Sequence, residues 1–243
     1  MTVAAALGAL KLLRMSLNFT SLMWRHFGRP IFQPKNRIWK TYGGEDTWAI
    51  VTGGSDGIGF AMALKLAGEG FNICIVSRSE KKIREKLNLI EVAYPNIKTK
   101  SIVADFSKLH SISDYQEQIG DKVKDLDIGV LALNAGVGSF GAFEDLLNDE
   151  VESMVSVNAL HVVYTLKVCL NQMLERHSKT GKKTGVVVTS SGAAQMPIGG
   201  MVTYCATKTF VSFIASGLNF ELKGKVDVMS YEAGMVSTNL LAA

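Results

Sequence analysis

The sequence predicts an α/β fold in which a doubly wound parallel sheet follows an N-terminal helical arm. Its 243 residues, 47% of them apolar, suit one compact domain with a short extension. Behind the arm, short apolar runs alternate with helical patterns, and a glycine-rich turn directly follows the first run. Together these observations indicate a sheet covered by helices on both faces.

Six apolar runs are the candidate strands, and their alternation with helices predicts the strand order 3-2-1-4-5-6. The strands are expected at 48–52, 72–77, 100–104, 128–133, 185–190 and 226–230. The clearest helical patterns lie between them, at 58–68, 80–94, 150–174 and 203–222.

The charge is divided unevenly along the chain. Residues 1–44 contain seven Lys or Arg and no acid, whereas residues 45–243 contain 19 basic and 22 acidic residues. A nucleic-acid-binding protein would normally carry its basic residues on the folded domain, so we disfavour that class. We expect residues 1–44 to be an arm that meets an anionic membrane surface or an acidic partner, and residues 45–243 to be the folded domain.

The arm begins with an apolar segment that Lys11 and Arg14 interrupt before a membrane-spanning length is reached. Polar residues then recur at steps of three and four, which predicts an interfacial amphipathic helix with this stripe: Lys11, Arg14, Asn18, Ser21 and Arg25. A mitochondrial transit peptide has the same composition, and an ordinary helix packed on its own domain is a further alternative. Residues 24–34 are expected to be an irregular linker.

The sequence gives no indication of a metal site or a disulfide framework. The three cysteines, Cys74, Cys169 and Cys205, are widely spaced and form no CxxC pair. The four histidines, His26, His110, His161 and His177, show no ligand spacing such as HExxH. Metal-dependent catalysis is therefore not expected.

The first chemical motif is TGGSDGIG, from Thr52 to Gly59, between the first strand and the first helix of the domain. Gly53, Gly57 and Gly59 would allow the backbone to turn tightly and to approach a pyrophosphate at the helix N-terminus. Tight strand–helix turns need glycine in any case, so the motif alone is only moderately specific.

The second strand ends in Ser77 and Arg78, at the place where a dinucleotide site contacts the adenosine ribose. An NAD site usually has an acid there, whereas a guanidinium suits the 2′-phosphate of NADP. The sequence therefore predicts NADPH as the cofactor. The alternative is a solvated arginine that opens a helix.

A third group consists of Ser191, Tyr204 and Lys208. Ser191 ends the fifth strand, and Tyr204 and Lys208 are four residues apart on a helix, so they share one face. A neighbouring ammonium and a cationic nicotinamide would favour tyrosinate and bring the pKa of Tyr204 down toward neutrality. Together with the glycine turn, this group predicts carbonyl acid–base chemistry.

With these motifs the chain resembles the short-chain dehydrogenase/reductase family over about residues 47–240. The segments WAIVTGGSDGIG, IVSRSEKK, LDIGVLALNAG and YCATKTF resemble its branch of 17β-hydroxysteroid dehydrogenases and very-long-chain 3-oxoacyl-CoA reductases. That resemblance implies a Rossmann-like domain, NADPH and an endoplasmic reticulum membrane, with a mitochondrial membrane as the alternative suggested by the arm. Homodimers are also common in the family.

The resemblance also implies residue roles. Tyr204 would donate a proton to a substrate carbonyl, Ser191 would orient that carbonyl, Lys208 would lower the pKa of Tyr204, and Asn158 would support a proton relay. The implied cofactor contacts are Thr52, Gly53, Ser55, Asp56, Gly57, Ile58, Gly59, Arg78, Asp105, Asn134, Gly136, Tyr204, Lys208 and Thr238.

The chain departs from the family pattern in three places. Leu133 replaces the first Asn of the usual Asn-Asn-Ala-Gly run, and Ala233 replaces a proline. Family members continue beyond the position of Ala243, so the usual last strand and substrate loop are expected to be missing here. Two hypotheses follow: an NADPH-dependent reductase of a hydrophobic 3-oxoacyl-CoA or steroid ketone, or a non-catalytic reductase-fold subunit of a larger membrane assembly.

Overall fold

The computed structural model describes residues 3–23, 37–234 and 236, and the chain divides into two compact units, 1–37 and 38–243. The first unit contains helix α1 (Val3–Met23), which confirms that the arm is helical. The large apolar side chains of α1 whose placement is described are exposed, including Leu10, Leu13 and Phe19. Arg25 and the expected linker 24–34 lie outside the described residues.

The second unit contains six strands separated by helices. The strands are β1 (Thr47–Thr52), β2 (Asn72–Ser77), β3 (Thr99–Val103), β4 (Asp127–Leu133), β5 (Thr184–Ser191) and β6 (Val226–Ala233). The helices are α2 (Arg37–Tyr42), at the boundary between the two units, α3 (Gly57–Glu69), α4 (Glu80–Ala93), α5 (Ile112–Tyr115, continued by Gln116–Gly120 and Asp121–Val123), α6 (Asn148–Val155, continued by Ser156–Leu160 and His161–Thr180) and α7 (Val202–Glu221).

All six strands are parallel and lie in the order β3-β2-β1-β4-β5-β6, which confirms the predicted doubly wound sheet. The order reverses direction between β1 and β4, where Thr52 is paired with Leu133. In open α/β sheets, ligands bind outside the carboxyl ends of the strands at this switch point. The fold therefore places the glycine turn and the end of β4 side by side.

Alternating residues of the central strands β1, β2 and β4 supply two separate hydrophobic cores. On β1, Trp48 and Ile50 face the core formed with α5, α6 and α7, whereas Ala49 and Val51 face the core formed with α3 and α4. Because both faces of the central strands are buried, these strands are continuous apolar runs in the sequence.

Residues 38–44, which the sequence analysis assigned to the arm, pack on the second unit. The rings of Trp39 and Phe71 meet edge to face with centroids 5.0 Å apart. The Tyr42 hydroxyl donates to Asp227 at 3.0 Å, and the buried Arg176 donates to the Tyr42 carbonyl at 2.7 Å. These contacts lie at the amino ends of the strands, on the edge opposite the candidate site.

Helix α6 departs from regular α-helical geometry in its second quarter, where Ser156–Leu160 form a π-helical turn. By length and composition α6 is the one helix among the described residues that could cross a membrane. However, 56% of its most apolar window is buried within the fold, and Leu166, Cys169 and Met173 belong to the core. Its hydrophobicity is that of a core helix.

Candidate active site

In the glycine turn after β1, the backbone of the turn lies close to the end of β2 and to the first residues of the next helix. Gly53 has a φ of +63° and Gly57 a φ of +49°, a region that side chains with a Cβ rarely occupy. The Gly53 amide donates to the Val76 carbonyl at 2.8 Å, which holds the turn against the end of β2. A Cβ on Gly59 would collide with the Gly53 carbonyl oxygen and would lie 2.5 Å from Nδ2 of Asn134.

This turn delivers the chain into the N-terminus of α3, a 13-residue helix. Asp56 caps the helix through its carboxylate, which accepts from the Gly57 amide at 2.7 Å. The remaining amides of the first turn carry the positive end of the helix dipole, and Ile58 is half-buried beside them. A cradle without Cβ atoms at a helix N-terminus fits the pyrophosphate of a dinucleotide.

We expect Gly59→Ala to weaken NADPH binding and to cost about 1–3 kcal/mol of unfolding free energy, because backbone atoms must move to admit the methyl group. Urea unfolding and NADPH titration of the same variant would measure both effects. The matched control is Gly217→Ala, since a Cβ at this exposed position of α7 meets nothing within 4 Å. It should gain roughly 0.5–1 kcal/mol instead. A neutral Gly59→Ala variant would contradict the close approach of the turn.

The end of β2 lies beside the turn. The Ser55 and Ser77 hydroxyls are 2.8 Å apart, so the turn and the strand end are hydrogen-bonded to each other. The Arg78 side chain follows directly and is exposed to solvent. Arg78 is thus the first residue after β2, the strand end that contacts the adenosine ribose in dinucleotide-binding folds.

Asp105, after β3 beyond β2, and Asn134, after β4 on the other side of the turn, are both fixed by hydrogen bonds. Asp105 accepts from the Ser107 amide at 3.2 Å and from the Ser107 hydroxyl at 2.8 Å, at the end of β3. Asn134 Oδ1 accepts from the Thr189 hydroxyl at 3.1 Å, while its Nδ2 lies under the glycine turn. Asn134 therefore links the cradle to β5.

The catalytic candidates converge at the carboxyl end of β5. Tyr204 and Lys208 on α7 are 8% and 4% exposed, and Nζ of Lys208 lies 5.8 Å from the centre of the Tyr204 ring. Nζ of Lys208 donates to the Thr189 carbonyl at 3.1 Å. Ser191 lies within hydrogen-bonding reach of the Tyr204 hydroxyl, and its own Oγ accepts from the Ala193 amide at 3.2 Å.

The lowering of the Tyr204 pKa expected from the sequence requires a bound nicotinamide, and in the cofactor-free protein burial has the larger effect. Burial raises the pKa of Tyr204 above its ordinary value, and the hydrogen bond from Ser191 offsets only part of that shift. Burial also lowers the pKa of Lys208 to about 8. Because the pKa of Tyr204 is raised, the phenol keeps its proton at neutral pH in the cofactor-free protein.

Asn158 occupies the π-helical turn of α6 and is 1% exposed. Its Oδ1 accepts from the Val137 amide and its Nδ2 donates to the Val137 carbonyl, each at 2.9 Å. A Cβ on Gly136 would lie 3.3 Å from both Asn158 Oδ1 and Lys208 Nζ. The loop after β4 thus joins the cofactor cradle to the catalytic group, and π-turns of this kind are frequent at functional sites.

Thr189 is a site residue that the sequence analysis missed, since it holds Asn134 through its hydroxyl and Lys208 through its carbonyl. Its spacing of two from Ser191 on β5 was an available signal, because residues i and i+2 share one face of a strand. His161, whose contacts are described below, was considered only as a metal ligand. Thr238 lies outside the described residues.

One exposed apolar side chain contacts Tyr204, and others lie on neighbouring loops. The Phe140 ring meets the Tyr204 ring edge to face, with centroids 5.9 Å apart. A hydrogen bond of 2.9 Å from the Gly141 amide to the Gly200 carbonyl joins the loop after β4 to the loop before α7. The exposed apolar residues of these loops and of the start of α7 are Phe140, Met196, Ile198 and Val202. A hydrophobic ligand beside Tyr204 could therefore contact Phe140.

Comparison with known proteins agrees with this geometry. A family model described as short chain dehydrogenase matches residues 47–243. The very-long-chain 3-oxoacyl-CoA reductase of Podospora anserina is 34% identical over 238 residues, covering 96% of this chain and 66% of that protein. The enzyme of the same name from Mus musculus is 34% identical over 200 residues, covering 79% of this chain and 60% of that protein.

Among solved structures, a bulky-bulky ketone specific alcohol dehydrogenase from Comamonas testosteroni superposes with a TM-score of 0.69 at 26% identity, covering 79% of this chain and 73% of that one. The chain spans about three-fifths of the length of the curated relatives it matches.

Proposed function

We propose that this chain, which belongs to the short-chain dehydrogenase family, reduces the ketone of a hydrophobic 3-oxoacyl-CoA with NADPH as the reductant. The observation that carries this proposal is the convergence of Ser191, Tyr204 and Lys208 on the edge of the sheet that holds the glycine turn. The curated relatives named as very-long-chain 3-oxoacyl-CoA reductases support the substrate class.

The side chains of this site suit ketone reduction. NADPH, when bound, supplies the hydride to the carbonyl carbon. Tyr204 keeps its proton at neutral pH because burial raises its pKa, so it is in the correct state to donate that proton to the carbonyl oxygen. The Ser191 hydroxyl donates a second hydrogen bond to the same oxygen and orients it. Lys208 has N–H groups beyond the one bonded to Thr189, and these can bind the ribose hydroxyls.

The apolar surroundings of Tyr204 support a substrate with a hydrocarbon portion. Phe140 contacts the Tyr204 ring directly, and Ile198 and Met196 lie on the neighbouring loop with exposed side chains. Each apolar side chain covered by an acyl chain would contribute about 25 cal/mol per Å² removed from water. A 17-keto steroid is the competing ligand of similar hydrophobicity, and direct comparison of the two substrates decides between them.

We expect Arg78→Glu to reverse the cofactor preference. The guanidinium would otherwise make charge-assisted hydrogen bonds to the 2′-phosphate, and losing them weakens NADPH binding by roughly 10- to 100-fold, while NADH binding improves or stays constant. Titration with both nucleotides measures the ratio. Arg84→Glu is the control, because it makes the same charge change on α4 where Arg84 is paired with Glu80 at 2.8 Å. An equal effect of both variants would show a general charge effect rather than a phosphate contact.

For helix α1 of the arm we propose attachment to the surface of the endoplasmic reticulum membrane. Helix α1 exposes Leu10, Leu13 and Leu17 together with Lys11 and Arg14, a composition suited to the interface of an anionic bilayer. Sedimentation with vesicles of phosphatidylcholine and phosphatidylserine tests this directly. Binding should fall when Lys11 and Arg14 are replaced by Glu. Equal binding to neutral and anionic vesicles would contradict a role for attraction between these basic residues and anionic lipid.

The deciding experiment is turnover of the full chain with NADPH and a long-chain 3-oxoacyl-CoA, alongside a 17-keto steroid. Reduction of the acyl-CoA supports the proposal. A clear preference for the steroid would mean that the substrate is a steroid ketone rather than a 3-oxoacyl-CoA. NADPH binding without turnover of either would favour the non-catalytic subunit. Absence of NADPH binding would overturn the proposal as a whole.

A further inference from the structure

His161 is a fully buried titratable residue that the proposed chemistry does not use. It lies on α6 directly after the π-helical turn and is 0% exposed. Its ring packs at 4.3 Å from the ring of Phe106, and burial lowers its pKa to about 3. The imidazole is therefore neutral at physiological pH, with one nitrogen that donates and one that accepts a hydrogen bond.

The two ring nitrogens have different partners, which fixes the tautomer. Nδ1 lies 2.9 Å from the Val157 carbonyl oxygen, which can only accept, so Nδ1 carries the proton. Nε2 lies 2.8 Å from Oγ1 of Thr52 and must accept there. His161 is thus an acceptor for the hydroxyl proton of Thr52.

The Thr52 hydroxyl is consequently oriented. Its oxygen accepts from the amides of Asn134 and Ala135, at 2.9 and 3.2 Å. The hydroxyl has one proton to donate, and Nε2 of His161 is much closer than the alternative acceptor, the Ala132 carbonyl at 3.4 Å. With the proton directed at His161, the oxygen lone pairs face the two loop amides.

The same imidazole also contacts the π-helical turn. The Val157 carbonyl directly precedes Asn158, whose amide group holds both the amide and the carbonyl of Val137. The loop after β4 is therefore held at its start through Thr52 and at its end through Asn158. His161 is hydrogen-bonded to Thr52, which holds the start of the loop, and to the Val157 carbonyl next to Asn158, which holds its end.

We propose that His161 is a positioning residue for loop 134–136, which faces the cofactor. It fixes the position of this loop indirectly, through the hydroxyl of Thr52 and the carbonyl of Val157. It touches neither cofactor nor substrate. The inference rests on the proposed function where it concerns NADPH affinity, whereas the loop geometry itself does not depend on a bound nucleotide. An apolar residue of similar volume would fill the space but would leave the Thr52 hydroxyl only the more distant Ala132 carbonyl, at 3.4 Å, as an acceptor.

The test compares His161→Leu, His161→Gln and His161→Asn. The side-chain oxygen of Gln can reach the place of Nε2, while the amide nitrogen of Asn can replace only Nδ1. We expect His161→Leu to weaken NADPH binding by roughly 5- to 100-fold. His161→Gln should retain most of the wild-type affinity, and His161→Asn should resemble His161→Leu. The kcat of His161→Leu at saturating NADPH should fall much less than the kcat/KM of this variant for NADPH. Equal losses in all three variants would indicate packing alone and would overturn the proposal.

A double-mutant cycle with Thr52→Val tests whether His161 acts on the loop through the Thr52 hydroxyl. Because both residues act through one hydrogen bond, adding His161→Leu to Thr52→Val should cost less than His161→Leu costs in the wild-type chain. Full additivity would contradict action through Thr52.

Hydrogen exchange of the Asn134 and Ala135 amides in the cofactor-free protein separates this inference from the proposed function. Both amides should exchange faster in His161→Leu and recover in His161→Gln, whether or not NADPH binds. Unchanged exchange in His161→Leu would refute the positioning role even if the chain proves to be an active reductase. Faster exchange in a chain that does not bind NADPH would support the positioning role while the proposed function fails.

Discussion

Tyr204→Phe is expected to reduce kcat for ketone reduction by roughly 10²- to 10⁴-fold, the range that a positioned general acid contributes. The variant removes only the hydroxyl, which is the proton donor, and keeps the ring that packs against Phe140. NADPH affinity should therefore stay within about twofold of the wild type, since the glycine turn and Arg78 are untouched. Single-turnover measurement of NADPH oxidation separates the chemical step from binding and release.

The matched control is Tyr94→Phe, which removes a phenol hydroxyl at the C-terminal end of α4, on the opposite face of the sheet from α7. Its kcat should equal that of the wild type. If Tyr204→Phe retained more than a tenth of the wild-type rate, another group would have to donate the proton. If its NADPH affinity fell together with its rate, the hydroxyl would belong to the cofactor site rather than to the acid.

Lys208→Met is expected to abolish turnover and, at pH 7, to stabilise the cofactor-free protein by about 2 kcal/mol. Burial lowers the pKa of Lys208 from 10.5 to about 8, so the folded protein holds a poorly solvated ammonium at neutral pH. At 1.36 kcal/mol per pKa unit this costs about 3 kcal/mol, and the lost hydrogen bond to the Thr189 carbonyl returns roughly 1 kcal/mol. The apolar methionine would also remove the groups that bind the ribose.

The stabilisation should depend on pH with a definite sign. Between pH 8 and 10.5 the unfolded wild-type chain binds a proton that the folded chain has released, so wild-type stability rises with pH across this window relative to the variant. The advantage of Lys208→Met is present below pH 8 and should have vanished by pH 10.5. Urea unfolding at a series of pH values measures it.

Lys65→Met is the control for this experiment, because Lys65 on α3 has a side chain that is 73% exposed. Its stability should stay within about 0.5 kcal/mol of the wild type at each pH. A Lys208→Met variant that is less stable than the wild type at pH 7 would mean that surrounding carbonyls compensate the ammonium fully. Lys208 would then be required for turnover without lowering the stability of the folded protein.

The central strands could be predicted closely from the sequence because they are buried on both faces. The run at 128–133 differs from β4 by a single residue at its start, and the strand order followed from alternation with helices. Helix α5 was not predicted, since it is short and continues through a π-helical turn at Gln116–Gly120. Helix α2 was also missed, because its stability comes from contacts of Trp39 and Tyr42 with distant strands.

The site could be predicted as far as residue types and spacing determine it. Motifs identified the glycine turn and Tyr204 with Lys208, but the pKa direction of Tyr204 depends on burial, which spacing does not show. The π-helical turn escaped prediction since an inserted residue barely changes the apolar pattern of a long helix. The contact between His161 and Thr52 joins residues 109 positions apart, and only the assembled sheet brings them together.

The order of the strands has a consequence for synthesis of the chain on the ribosome. Strand β1 lies between β2 and β4, and its register with β4 pairs Thr47 with Asp127 across about 80 residues of intervening sequence. At roughly 5–20 residues per second, β1 presents one unpaired edge for several seconds after β2 and β3 have emerged. A nascent chain of about 110 residues would thus offer a strand edge to chaperones or to other nascent chains. Translational pausing within residues 104–126 would lengthen that exposure, and faster translation there should raise the yield of soluble protein.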